Sequence, residues 1–422
     1  MNTFHIVNLG CKVNRVESDS FSQALEDHGF HPSNLPEADL IIVNTCTVTG
    51  EADKKTRKAV NHALRENNHA KLYVTGCAAA IHPDYFTALD TRVQVVSKAD
   101  MLSKLEDFTH NSTSTKTSTS TEAHLSAQYP TRVGVKVQDG CNHACTYCII
   151  HVARGAATSR PLSEIINECT NLIHQGVKEI VLTGINLGSY HNHGYTLADL
   201  LTKLITTAQQ NTIPGEPPCR FRISSVEPMD IDDTLIHLLA TSNGQICRHL
   251  HLPLQSGSSK VLAEMNRPYT AEAFLALVER LRNTIPELSL STDIIVGFPG
   301  ETEEDFAATL NVAKQCQFSK IHVFPYSKRE GTPAAARPDQ IDSQIKRQRA
   351  SQLRALGKTL RQADWERRLN TTEYAIVEER GIAMTESYFE LTAPPDTPTG
   401  SLIPLQLTNE ILRDAPCEEN TD

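Results

Sequence analysis

No uninterrupted apolar run in this 422-residue chain approaches the roughly 20 residues that a membrane-spanning helix requires. The opening from Met1 to Asn14 also lacks a basic n-region, an apolar h-region and a small-residue cleavage site, so a cytoplasmic protein with no membrane partner is expected. Positive charge is in the minority: 40 Lys and Arg face 50 Asp and Glu, and a net charge of −10 argues against general binding to nucleic acid. Disulfide staples are not expected. A chain of this length can bury enough core without them, and its 11 cysteines would stay reduced in the cytoplasm, available as ligands or nucleophiles.

A fourth cysteine is also missing from the densest thiol motif. Cys141, Cys145 and Cys148 stand as C-x3-C-x2-C directly after an apparent strand. Clusters that only carry electrons are normally closed by four cysteines, and structural zinc wants four ligands, usually in two separated pairs. Three thiolates can hold three irons of a cubane and leave the fourth open to a substrate or cofactor. This spacing resembles that of the radical S-adenosylmethionine (SAM) enzymes. The resemblance implies a [4Fe-4S] cluster whose open iron chelates the amino and carboxylate groups of SAM and whose electron cleaves SAM to a 5′-deoxyadenosyl radical.

Toward the N-terminus, strand-like runs at Phe4–Leu9, Asp39–Asn44 and Lys71–Thr75 alternate with helical segments, which predicts a doubly wound parallel α/β sheet. Ligands bind beyond the carboxyl ends of such strands. Cys11, Cys46 and Cys77 each lie just past one of them, so a second three-thiolate site is expected there. The alternative is three ordinary buried cysteines beside glycines.

Residues 109–128 are rich in Ser and Thr and read as a linker between a domain at 1–108 and one at 129–367. In the second, strands at Arg132–Gln138, Lys178–Thr183, Arg220–Val226, Cys247–Leu254, Leu288–Val296 and Lys320–Tyr326 alternate with helices, the pattern of a partial (βα)6 barrel. Its strand ends are polar or Gly-rich. Gly184, Asn186, Ser224, Ser225, Glu227, Asp293 and Gly297, with Tyr147 inside the thiol motif, are the candidate SAM contacts. His251 could carry protons, but a histidine beside a strand more often satisfies a structural hydrogen bond. Residues 346–368 form a basic helix that reads as a solvated face or a phosphate grip. Short strands at Tyr374–Glu379, Ala383–Leu391 and Leu402–Leu407 suggest a small β-rich module over 368–413, followed by an acidic tail at 414–422.

Taken together, Asn8–Asn14, Val43–Thr49, Gly76-Cys77, Asp139–Ile150, Val181–Tyr190, Arg222–Pro228, Leu250–Gly257 and Gly297–Thr302 resemble the radical-SAM methylthiotransferases over the whole chain. The form Gly10-Cys11-Lys12-Val13-Asn14, followed by Glu17-Ser18, resembles the branch acting on N6-threonylcarbamoyladenosine at tRNA position 37. The resemblance implies two [4Fe-4S] clusters, the one on Cys11, Cys46 and Cys77 holding the sulfur that is methylated. It further implies a linker that lets the clusters face each other across the base, a TRAM-like C-terminal module, a tRNA substrate gripped by that module and the basic helix, an electron donor and a sulfur source. Two departures stand out: His151 replaces the usual Pro, and the terminal module is short and acidic. Competing expectations are the isopentenyladenosine tRNA branch, the branch modifying an aspartate of a ribosomal protein, and an iron–sulfur electron carrier or sensor.

Overall fold

The computed structural model describes residues 2–112 and 131–413, so most of the Ser/Thr-rich segment and the acidic tail lie outside the described residues. These residues form two compact units, one drawn from 2–112, 139–157 and 327–336, the other from 131–138, 158–326 and 337–413. No helix among the described residues is long and apolar enough to cross a membrane.

In the first unit, β1 (Thr3–Asn8), β2 (His31–Pro32), β3 (Leu40–Thr45), β4 (Lys71–Gly76) and β5 (Val93–Val95) form an all-parallel sheet in the order β2-β1-β3-β4-β5. The helices are α1 (Lys12–Asp27), α2 (Gly50–Glu66), α3 (Cys77–Ile81), α4 (Pro83–Thr87), α5 (Met101–Ser112) and α6 (Ile150–Arg154). Every residue of β3 is buried. Its alternation sends Ile41 and Val43 into one core with Val60 and Leu72, and Leu40 and Ile42 into another with Phe21 and Tyr73. The sheet is therefore covered on both faces, as the doubly wound reading required. Because the strands are parallel, β1, β3 and β4 end at one edge, where Cys11, Cys46 and Cys77 follow.

In the second unit, β6 (Arg132–Lys136), β7 (Glu179–Thr183) and β8 (Arg220–Ile223) make one parallel sheet, and β9 (His249–His251), β10 (Ser289–Val296) and β11 (Lys320–Pro325) another. Parallel bridges Phe221↔Ile246 and Ser225↔His251 join β8 to β9, so the six strands run in chain order around an arc. The helices are α7 (Leu162–His174), α8 (Leu197–Gln210), α9 (Asp233–Thr241), α10 (Ser259–Glu264), α11 (Ala271–Thr284), α12 (Glu303–Cys316) and α14 (Ser343–Arg368), while α13 (Pro333–Ala336) belongs to the first unit. This is the expected partial barrel. The fourth strand is shorter than the run Cys247–Leu254 suggested, because Pro253 has no N–H to donate and Gln255 turns the chain at φ 65°.

The C-terminal segment folds as β12 (Thr372–Glu378), β13 (Ile382–Thr385), β14 (Glu390–Thr392) and β15 (Leu402–Gln406), an antiparallel sheet in the order β14-β13-β12-β15. The single strand read over Ala383–Leu391 is a hairpin. Tyr388 turns at φ 64°, and the Phe389 N–H donates to Thr385 Oγ1 at 2.9 Å. Trp365, from α14, fills the core of this sheet with Val377, Phe389 and Leu391.

A buried ion cluster ties the sheet to the barrel strands. Arg222 Nε donates to Glu179 Oε1 at 2.6 Å and Arg220 Nε to Glu179 Oε2 at 2.8 Å. The outer nitrogens then reach the terminal sheet: Arg220 Nη1 meets Tyr374 O at 2.8 Å, and Arg222 Nη1 meets Glu386 O at 2.6 Å. Burial alone would raise the Glu179 pKa, but Arg222 and Arg220 outweigh it and hold the carboxyl down at about 2. A carboxylate with a lowered folded pKa stabilises fully above its ordinary value of 4.5 and loses that contribution as pH falls toward 2. Melting temperature should therefore hold from pH 7 to 5 and drop below that, with Glu179→Gln flattening the acid limb. At neutral pH the same variant, which strands two buried guanidinium groups, should cost about 3–5 kcal/mol by urea titration.

Candidate functional site

The three thiols of the first set are placed by two polar side chains. Asn14, in the first turn of α1, donates from Nδ2 to Leu9 O at 2.8 Å and Thr45 O at 2.9 Å, clasping the loops that carry Cys11 and Cys46. Thr45 Oγ1 donates to Thr75 O at 2.6 Å and accepts from the Ala79 N–H at 3.1 Å, which fixes the third loop and the start of α3 at Cys77. Thr56 Oγ1, from α2, accepts from Cys46 N at 3.3 Å and donates to Cys46 O at 3.0 Å. Gly10 sits at φ +98°, and a Cβ there would lie 2.6 Å from Cys46 Sγ. Burial pushes the Cys46 thiol up to about 11, and neighbouring Cys11 and Cys77 push the same way. The three thiols are thus brought together from distant points in the chain.

The second set lies in the same unit. Gly140, at φ +71°, passes so close to Ala156 O that a Cβ would sit 2.0 Å away, and Cys141 N donates to Gly155 O at 3.1 Å. Backbone N–H groups of His143 and Ile150 point at Cys141 Sγ and Cys148 Sγ, each at 3.4 Å. Such N–H···S contacts stabilise thiolate sulfur and tune a cluster's potential. Burial raises Cys148 to about 11, with Cys145 and Cys141 adding to it.

Arg154, the last residue of α6, connects the two sets. Its side chain is 1% exposed. Nη2 donates to Asn14 Oδ1 at 2.7 Å, and Nη1 donates to Asp139 Oδ1 at 2.7 Å and Glu17 Oε1 at 3.1 Å. Lys98 completes the node, donating to Asn14 Oδ1 at 3.1 Å and pairing with Glu17. Burial works against the Arg154 charge, but Cys77, Glu17 and Asp139 outweigh it, and its pKa is raised. Sequence reasoning gave no task to Asn14, Glu17, Arg154 or Lys98. Only the position of Asn14, three residues after Cys11, was a signal.

The donor sets suit open cubane clusters. The other described cysteines, Cys169, Cys219, Cys247 and Cys316, are buried in the second unit, so among the described residues neither trio gains a fourth thiol from its own unit. Among the candidate SAM contacts, Tyr147 belongs to the thiol loop and the rest to the barrel unit. Among the described residues, Asn186 Oδ1 and Ser224 Oγ are buried with no hydrogen-bond partner. Ser225 bridges to His251 along the backbone. Glu227 is ion-paired with Arg267.

Asp293 lies 3.3 Å from His251 Nε2, whose Nδ1 meets Ser291 Oγ at 3.0 Å, so His251 is held by structural hydrogen bonds. His322 joins this pair, the three ligand atoms lying within 4.8 Å of one another. The two glycines have packing tasks. Gly184 leaves room for Gln138, whose Oε1 accepts from the Asn186 N–H at 2.8 Å, and a Cβ at Gly297 would lie 2.2 Å from Lys346 Cγ.

Residues 135–313 match the radical SAM superfamily, and residues 3–97 match a family described as uncharacterized protein family UPF0004. The threonylcarbamoyladenosine tRNA methylthiotransferase MtaB of Bacillus subtilis is 40% identical over 374 residues, covering 85% of this chain and 81% of that protein. The chain belongs to the radical-SAM tRNA methylthiotransferases. It is therefore an enzyme, a transferase of the iron–sulfur class. The MtaB protein of Chlamydia pneumoniae is 38% identical over 93% of this chain and 91% of its own. A tRNA-2-methylthio-N(6)-dimethylallyladenosine synthase of Alkaliphilus oremlandii is 36% identical over 83% and 76% respectively. The radical SAM methyltransferase TsrM of Kitasatospora setae, solved with cobalamin and a [4Fe-4S] cluster, shares the fold at TM-score 0.58 and 16% identity, covering 79% of this chain and 77% of that one.

Gly10→Ala, which drives a methyl group into Cys46, should lower the iron content of this methylthiotransferase by roughly half while leaving the iron on the second set, as read by metal analysis and electron paramagnetic resonance. Full iron in that variant would show that Cys46 is no ligand.

Proposed function

We propose that this enzyme replaces the C2 hydrogen of N6-threonylcarbamoyladenosine at tRNA position 37 with a methylthio group. The observation that carries the reading is the pair of three-thiol sets in one compact unit, bridged by Arg154 and Asn14. The MtaB relatives support the substrate. An unactivated aromatic C–H offers no proton that a side-chain base could use, so one site must generate a hydrogen-abstracting species and another must present sulfur. When bound, a [4Fe-4S] cluster with SAM supplies the first capability and a second cluster the sulfur.

Cys141, Cys145 and Cys148 would hold the SAM-cleaving cluster, and Cys11, Cys46 and Cys77 the other. Asn186 and Ser224 offer unpartnered polar atoms to the ribose or amino-acid end of SAM. Tyr147, Gly184, Ser225, Asp293 and Gly297 complete the proposed contacts. Arg267 neutralises Glu227, so that carboxylate would accept hydrogen bonds without an uncompensated charge facing the cofactor. Arg154 keeps the two thiol loops in register. Domain limits at 1–108, 129–367 and 368–413, with the last module TRAM-like, belong to the same proposal, as do a cytoplasmic setting, a reducing electron donor and a sulfur source.

A second reading, methylthiolation of isopentenyladenosine, is favoured by the dimethylallyladenosine synthase relative. Deleting the gene and analysing tRNA nucleosides by mass spectrometry separates the two. We expect 2-methylthio-threonylcarbamoyladenosine to vanish and its precursor to accumulate. Loss of the isopentenyl derivative would select the second reading, and unchanged tRNA with an unmodified ribosomal protein would overturn both. In purified protein, Cys145→Ala should abolish SAM cleavage, whereas Cys46→Ala should leave uncoupled cleavage to 5′-deoxyadenosine with no sulfur transfer. Equal loss in both variants would contradict a division of labour between the sets.

A further inference from the structure

We infer that the exposed face of α2 is a phosphate-binding surface that grips the RNA substrate beside the Cys46 site. This rests on the tRNA reading above and names a surface which that reading leaves open. On a helix turning 100° per residue, Lys54, Lys58 and Arg65 fall within 40° of one another, opposite the buried Thr56, Val60 and Ala63. The stripe extends about 16 Å along the axis. Arg57 flanks it, its guanidinium 4.5 Å from the Tyr85 ring centroid.

These cations lack strong partners. Lys54 makes only a loose contact with Glu51 at 3.8 Å, its side chain 80% exposed, and neither Lys58 nor Arg65 makes an ion pair among the described residues. Of the nearby acids, Asp53 is already committed to Arg329. A cluster of unpaired or loosely paired cations is unusual in a chain of net charge −10, where acidic partners are plentiful. The helix is also anchored to the site: Thr56 holds both the N–H and the C=O of Cys46, so RNA lying along α2 is aligned with the first thiol set.

Several cations of α14 are less available than its composition suggests, Arg347 and Lys358 being the exposed exceptions. Arg349 pairs with Glu301 at 2.5 Å, Arg368 with Asp364 at 3.0 Å and Glu373 at 2.7 Å, and Arg367 with Asp364 at 2.5 Å. Arg361 donates to Tyr388 O at 2.9 Å. Those charges fasten α14 within its own unit and are spent on internal partners.

The test compares the cluster-reconstituted full chain with its Lys54→Glu/Lys58→Glu/Arg65→Glu variant, titrated with an anticodon stem-loop of the substrate tRNA at several salt concentrations. Loss of three phosphate contacts should lower the slope of log affinity against log salt by about 2–3 and weaken binding roughly tenfold or more near 0.15 M salt. RNA-free SAM cleavage and melting temperature should not change. The alanine triple variant should shift in the same direction, while Arg347→Glu/Lys358→Glu on the exposed part of α14 should stay within about twofold of wild type. Wild-type affinity and slope in both α2 variants would overturn the inference and leave the tRNA reading standing. A wild-type chain that binds no tRNA and modifies a protein would overturn the tRNA reading itself.

Discussion

Asn14 is the point on which the first unit depends. One amide group donates to two carbonyls, Leu9 O and Thr45 O, so the turns leaving β1 and β3 cannot move independently. Its oxygen meanwhile accepts from Lys98 and Arg154. A buried amide that satisfies both donors and its acceptor in this way specifies one arrangement, because displacing it would leave several buried groups unpaired at once. The thiols inherit that precision. The same node carries Arg154, which follows the C-x3-C-x2-C loop.

Charge in this enzyme is divided between fastening and recognition. Guanidinium groups at Arg154, Arg220, Arg222 and Arg349 are buried and paired, each linking elements that lie far apart in the chain. Arg suits this work because its planar fork serves several acceptors at once. The lysines of α2 remain in water, where a flexible ammonium can follow a phosphate backbone. A single count of basic residues therefore misjudges which surface meets RNA.

The parallel sheet, the six-stranded arc and both cysteine trios were legible in the sequence because each rests on a local, repeated signal. Hydrophobic runs of strand length ended at Cys11, Cys46 and Cys77, and the thiols of Cys141, Cys145 and Cys148 lie within eight residues. The hairpin at Tyr388 was not legible, since a polar residue at positive φ leaves little mark on a short β-rich run. Nor was it legible that Gly184 and Gly297, whatever else they meet, make room for Gln138 and Lys346.

By itself, then, the sequence determined which residues can ligate metal and roughly where along the strands they stand, because ligand type and strand periodicity are properties of short segments. Only the tertiary structure decided that the two thiol sets share one compact unit, that Arg154 and Asn14 connect them, and that Arg349, Arg361 and Arg368 of α14 are spent on internal partners while Lys58 and Arg65 of α2 are not. The physical reason is that a charged side chain has no fixed role until folding sets its distance to acids and its access to water.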